Sequence, residues 1–406
     1  MKIGHYMRGI WEKGGVASYI RRISAAQEAE GHEIVYFDSL APESSQPVHD
    51  RPVRFVRNDA ELTSLAASMC LDILHVHTAI AAGTRTSVPT IRTVHGHQPY
   101  CPSGSRFLKR TDMPCDRSYG LAGCVWGKLI DRCGSARPGR MIEDFRLTSD
   151  ELSTLRKIPS LTVSKFLKEQ MVRSGHPESS ISVLYLPAPV RPDDAPAKQP
   201  SPKIGVPHFV FAGRLTPQKG VAWLLKAASQ VETDIHVDIA GEGYQADELK
   251  ALSRRLGIAD RVTFHGWVDG DKIDALLTQA RALVFPSVWH EPGGTVAFEA
   301  MVNARAVVMS RVGGMPEIVG DGDTGILVNP GDVNGLARAI THLAVDWHEA
   351  RLLGDQGYAK VQQKFGFDDH MNQLMGHYDR CCRQFDESPA ESETAASLAV
   401  AEGARA

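Results

Sequence analysis

A rhythm that occurs twice is what most constrains this chain. Short runs rich in Val, Ile, Leu and Phe alternate with longer stretches of helical spacing, first over residues 2–164 and again over 208–309. In the first series the strand-like runs are 2–7, 34–37, 53–56, 72–77, 90–95 and 161–164. In the second they are 208–212, 235–240, 261–265, 282–285 and 306–309. Helices are expected at about 16–30 in the first, and at 219–231, 245–257, 270–280 and 295–303 in the second. Strands separated by helices build parallel sheets covered on both faces. Between the two series, residues 191–203 are proline-rich and polar, the composition of an interdomain linker. The expected fold class is therefore α/β, with two Rossmann-like, doubly wound domains facing a central cleft. Residues 1–190 would form the first domain and 204–364 the second. An amphipathic pattern over 365–385 predicts a last helix. The segment 386–406, rich in Ser, Ala and Glu, has little to bury and is expected to be disordered.

In open parallel sheets, ligands lie beyond the carboxyl ends of the strands. The most informative such end is the stretch 285–301, where a buried strand runs through a turn-rich segment into an apolar helix. Backbone N–H groups at that helix start lack intrahelical partners, and Gly293 and Gly294 allow a ligand close to the backbone, which suits an anion near Thr295. Two carboxylates frame the turn. Glu299 falls among Val296, Ala297, Phe298, Ala300 and Met301, where an ionised acid needs hydrogen-bond donors. A capping box would require Glu three residues after Thr295, but Phe298 stands there. A diol would supply two donors to Glu299, and a sugar hydroxyl could serve Glu291 in the same way; a structural salt bridge is the competing reading. Arg214 and Lys219 follow the first strand of the second series, where a guanidinium fork and a mobile ammonium suit a diphosphate. Gly14 and Gly15 open the first helix, and either make a turn or offer amides to a phosphate.

These residues resemble the retaining glycosyltransferases of family 4, which have the GT-B fold. Glu291 and Glu299 match that family's paired glutamates, separated by seven residues. Gly213-Arg214-Leu215 with Lys219-Gly220 is similar to its second signature, and residues 313–319 with 324–328 to a third. The resemblance implies transfer of a sugar from a nucleotide-diphosphate donor, of UDP or GDP type, to an acceptor hydroxyl. It implies that His95 positions the donor sugar, His97 being the less favoured of the two, and that Arg214, Lys219 and the amides near Gly294 and Thr295 stabilise the leaving diphosphate. Glu299 would hold the ribose and Glu291 the sugar hydroxyls. Gly213, Gly241 and the loop at Val268 would lie near the donor, with the base close to Val268. Same-face attack, with the leaving phosphate taking the acceptor proton, follows from the family. Without an Asp-x-Asp motif of the metal-bridging type, no catalytic metal is expected. Gly293 stands where the family commonly has Phe. A sugar-nucleotide epimerase and a non-catalytic sugar-nucleotide binding protein are the rival readings.

Composition limits the partners. With 406 residues, 43% hydrophobic and 23% charged, the chain is long enough for two ordinary domains. No apolar run approaches the roughly 18–20 residues that span a bilayer, and the start has no signal-peptide core, so a cytoplasmic protein is expected. A net charge of -3 gives no reason to expect nucleic acid. Residues 106–140, however, hold eight Lys/Arg against three Asp/Glu. That excess would favour an anionic acceptor or peripheral contact with the inner face of a membrane, or is simply a solvated loop. The same insertion, 101–140, contains Cys101, Cys115, Cys124 and Cys133. Four clustered cysteines raise a structural zinc site, although disulfides, a redox-sensitive pair or free thiols fit the spacing as well. The insertion follows His95 and is expected to shape the acceptor pocket.

Overall fold

The computed structural model describes residues 1–10, 14–39, 53–80, 84, 86–155, 158–189 and 202–387. Most of the linker segment, residues 191–201, and the tail beyond 387 lie outside the described residues.

The first sheet has seven strands: β1 (Lys2–Tyr6), β2 (Glu33–Asp38), β3 (Val53–Phe55), β4 (Ile73–Val76), β5 (Thr90–Val94) and, after an antiparallel ribbon of β6 (Phe107–Leu108) and β7 (Met113–Pro114), β8 (Ser160–Thr162) and β9 (Ile181–Val183). Their order is β3-β2-β1-β4-β5-β8-β9, all pairs parallel. The second sheet, also parallel, comprises β10 (His208–Ala212), β11 (His236–Ala240), β12 (Val262–Gly266), β13 (Ala282–Phe285), β14 (Ala306–Ser310) and β15 (Ile326–Val328), in the order β12-β11-β10-β13-β14-β15. In both sheets the central strands are buried along nearly their whole length, as expected where helices cover both faces. The fold is a pair of Rossmann-like α/β domains.

Two edge strands, β9 and β15, were not foreseen from the strand-like runs. Each is only three residues long. The last helix, Phe367–Asp386, follows the second domain but packs into the first. Its Met371, Leu374, Tyr378 and Cys381 share a core with Ile3, Ile20, Ile73 and Ile91. That crossing ties the two halves together by burial of apolar area.

Candidate active site

The carboxyl ends of the two sheets face each other across a cavity of about 550 Å³. The first domain contributes Gly15, Tyr19, Arg22 and His95 to its wall, and the second contributes Gly213, Arg214, Lys219, Trp289, Glu291, Gly293, Gly294, Thr295 and Glu299. The structure thus brings together most of the residues singled out in the sequence. Three do not line the cavity. Gly241 backs Gly213, whose carbonyl would lie 1.8 Å from a Cβ at Gly241. Val268 sits half-buried between β12 and the Gly270–Gln279 helix, and Gly14 caps the Gly15–Ala29 helix from the solvent side.

Lys219 follows β10 in a short turn that Gly220 makes possible. Gly220 has φ of 73°, and a side chain there would place its Cβ 1.9 Å from the Pro286 carbonyl oxygen. The Lys219 Nζ lies 2.6 Å from Glu291 Oε1 and about 5 Å from the ring centroids of Phe285 and Trp289, at 5.2 and 5.1 Å. Ser287 Oγ stands 2.8 Å from the same Glu291 oxygen. Glu291 is therefore anchored to Lys219 rather than waiting for a ligand, the arrangement weighed in the sequence as a salt bridge. Arg214, by contrast, is exposed and makes no ion pair among the described residues.

Glu299 has the opposite character to Glu291. Among the described residues its carboxyl has no hydrogen-bond or ion-pair partner, and burial, with the nearby Asp274 adding to it, raises its pKa above the usual carboxylate range. Hydrogen-bond donors from a ligand would relieve both effects. The helix carrying Glu299, Val296–Val302, is only seven residues long. The amides of Ala297 and Phe298 already donate to Gly294 O and Thr295 O at 3.0 Å, so anion attraction at this turn rests on the cations and on the few remaining amides more than on a helix dipole.

On the opposite wall, His95 ends a buried chain of imidazoles. His5 Nε2 donates to Gln27 Oε1 at 2.9 Å, because an amide oxygen can only accept. The Gln27 amide is oriented by its nitrogen, which donates to the Tyr378 hydroxyl. His5 Nδ1 is then a bare acceptor, taking a hydrogen bond from His77 Nε2 at 3.2 Å. By the same logic His77 Nδ1 accepts from His95 Nε2, again at 3.2 Å. Burial holds His5 down to about 4, His95 down to about 3 and His77 well below its ordinary value, so all three rings are neutral near pH 7. The consequence is that His95 Nδ1 carries a lone pair. That atom is buried without a partner in a residue lining the cavity, which suits a ligand hydroxyl. His97 serves differently: its Nε2 donates to the His290 carbonyl at 2.7 Å and its Nδ1 accepts from the Tyr100 hydroxyl at 2.6 Å, a strut between the domains.

Several functional neighbours escaped sequence reading. Trp289 donates its indole N–H to Ser105 O in the insertion while its ring covers Lys219. Glu317, within the third signature, reaches the first domain and caps the Lys165–Arg173 helix. The chain does contain Asp-Gly-Asp at 269–271 and at 321–323, but Asp269 caps a helix through the Lys272 amide and Asp321 pairs with Arg311. Part of the basic excess over 106–140 is internal. Arg106 and Lys128 are buried, and Arg110 and Arg117 both pair with Asp131.

Residues 206–346 match the family model described as glycosyl transferases group 1, and residues 13–124 match the model for glycosyltransferase family 4. The chain belongs to the family 4 type of glycosyltransferases. Over 263 residues it is 31% identical to an uncharacterised glycosyltransferase of Methanocaldococcus jannaschii, covering 61% of this chain and 66% of that one. It is 33% identical over 239 residues to the alpha-maltose-1-phosphate synthase of Mycolicibacterium smegmatis, covering 55% and 59%. The matches thus span about three-fifths to two-thirds of these relatives' lengths. The fold is that of HepE from Anabaena, solved with UDP-glucose, at a TM-score of 0.67 and 18% identity over 94% of this chain and all of that one. Among the described residues of this family member, no helix is long and apolar enough to cross a membrane.

Proposed function

We propose that the chain is a retaining glycosyltransferase that moves a sugar from a nucleoside-diphosphate donor of UDP or GDP type to an acceptor hydroxyl. The observation that carries this reading is the convergence in one cavity of two cations, an unpartnered carboxyl and an imidazole lone pair. Arg214 and Lys219 meet the diphosphate, Glu299 accepts from the ribose diol, and His95 Nδ1 accepts from a sugar hydroxyl. Glu291 holds Lys219 in place and faces the sugar. The acceptor oxygen attacks the anomeric carbon on the face the diphosphate leaves, forming the new C–O bond as the C1–O bond to phosphate breaks. The acceptor proton passes to the departing phosphate oxygen. Positive charge fixed beforehand around that oxygen is the large electrostatic contribution in such chemistry. Relatives named for sugar-phosphate synthesis and a structural neighbour solved with UDP-glucose support the reading.

A thermal-shift panel of UDP-, GDP- and ADP-sugars tests it, followed by turnover with and without acceptor. The reading expects stabilisation by one nucleotide class and sugar transfer only when an acceptor hydroxyl is supplied. Isomerised sugar formed from donor alone would identify an epimerase instead.

The insertion also supports peripheral membrane contact. In its Leu121–Leu129 helix and just beyond, Trp126, Leu129 and Ile130 are exposed at helical spacing, with Trp126 57% accessible, and Lys109, Arg132 and Arg137 are exposed nearby in sequence. Apolar anchors among cations suit an anionic lipid surface. Flotation with phosphatidylglycerol vesicles is expected to recover the chain, and Trp126→Ser to reduce that recovery.

A further inference from the structure

The four cysteines of the insertion, scattered over 33 residues of sequence, come together in the fold. Cys101 precedes the β6–β7 ribbon, Cys115 follows it directly, Cys124 lies on the Leu121–Leu129 helix and Cys133 just past that helix. All four line one cavity of about 20 Å³, room for a single atom-sized occupant. None forms a disulfide. Hydrogen bonds to backbone carbonyls tie two of the corners in place: the Cys115 amide donates to Arg106 O at 2.8 Å, the Cys133 amide to Gly127 O at 3.1 Å, and the Ser105 hydroxyl to Cys133 O at 2.8 Å.

Two further observations call for a cation-binding tetrathiolate here. The insertion has little apolar core of its own, since its ribbon has two residues per strand and its helix exposes Leu121, Trp126 and Leu129. Modules of this size are held together by disulfides or metals rather than by burial. The second observation is electrostatic. Arg106 lines the cavity and is 3% exposed, yet among the described residues its guanidinium meets only neutral acceptors, Arg117 O at 2.5 Å and Gln170 Oε1 at 3.1 Å, and its Nε has no partner. A buried cation without a counter-charge is costly. Four thiolates around a divalent ion carry a net charge of about -2 and would compensate Arg106, with Lys128 in the same wall already answered by Asp144.

We propose that Cys101, Cys115, Cys124 and Cys133 bind one structural zinc ion that staples the insertion. Among the described residues, the group whose ligand atoms all lie within 4.8 Å of one another is His5, His75 and His77, and the cysteines are not in it. Their sulfurs therefore close inward by side-chain rotation on loading. The imidazole group is a poorer site, because His5 bonds to Gln27 and His77, and His75 bonds to Tyr378 and Thr93. The zinc-held insertion in turn braces the donor wall, since Ser105 O accepts from Trp289 and Asp116, next to Cys115, lies 2.9 Å from His290 Nε2.

Elemental analysis of the full chain purified without chelator is expected to find about one zinc per chain, released when all four thiols are titrated with a mercurial. Cys124→Ser should lose the ion. Should that variant fail to fold, the wild-type chain reloaded with cobalt decides the matter, because tetrahedral tetrathiolate cobalt has intense visible bands and thiolate-to-metal charge transfer. Fewer than four coordinating sulfurs would overturn the ligand set. A zinc-free chain with four freely reacting thiols and a melting temperature unmoved by added zinc, or intact disulfides among the four by mass, would overturn the site.

Discussion

Lys219 Nζ and Glu291 Oε1 are paired at 2.6 Å inside the cleft, with only 13% and 8% of their side chains exposed. A pair so enclosed stands or falls together. Removing the acid leaves a buried ammonium, a change that costs about 3–5 kcal/mol for buried pairs. Glu291→Ala is therefore expected to lower the melting temperature as well as activity. Lys219→Ala should cost about 10²–10³ in kcat, the usual loss when a donor to a developing anion is removed. Calorimetry and steady-state kinetics on both variants check this, and unchanged stability in Glu291→Ala would show the pair to be dispensable to the fold.

The imidazole chain makes the protein acid-labile in a definite window. His5, His77 and His95 are neutral in the fold because burial lowers their pKa values, to about 4 for His5 and about 3 for His95, whereas in the unfolded chain each titrates near 6.5. The unfolded state thus binds more protons below about pH 6.5, and stability is present above that value and lost as pH falls toward the folded values. Each such group contributes a slope of about 1.4 kcal/mol per pH unit. Denaturant unfolding between pH 7 and 4.5 is expected to show a steep loss, and His5→Gln to flatten it by about one proton.

The alternating strands were legible because runs such as Ala282–Phe285 and Ala306–Ser310 are continuously apolar, the mark of a strand covered on both faces. The edge strands β9 and β15 were not, since three residues are too few to show a period. Residue types at the cleft could also be read, but not their pairings. Lys219 and Glu291 are 72 positions apart, and His97 meets a carbonyl 193 positions away. Glu291 could be placed at the turn from sequence; that its charge is committed to Lys219 depends on how β10 and β13 lie side by side. The lone pair on His95 Nδ1 is still less local, being fixed through His77 and His5 by Gln27.

Glu299 should make donor binding pH-dependent. Burial first, and then Asp274, raises its pKa above the ordinary value, so it accepts a proton more readily than a surface glutamate. A ribose diol needs the ionised form as acceptor. Affinity for the nucleoside diphosphate is accordingly expected to weaken as pH falls through the Glu299 value and to recover above it. Titration calorimetry across that range checks the profile. Glu299→Gln should bind more weakly, by about 5–30-fold for a loss of one to two kcal/mol, and with the pH dependence removed.

Glu317 links the two domains without itself lining the cavity. Its Oε1 accepts from the Phe166 amide at 2.8 Å, and its Oε2 from the Lys165 amide at 2.8 Å and the Tyr185 hydroxyl at 2.9 Å. Ser164 Oγ takes the Leu167 amide at 3.2 Å, so side chains from both halves satisfy the first turn of the Lys165–Arg173 helix. Losing such a cap costs about 0.5–2 kcal/mol. Here part of that loss falls on domain approach, because the cap and the helix belong to different halves. Glu317→Ala is expected to raise the donor KM several-fold while changing kcat less, and to enlarge the radius of gyration in small-angle scattering. A variant that lost stability with donor KM and radius unchanged would show that Glu317 caps the helix without setting the width of the cleft.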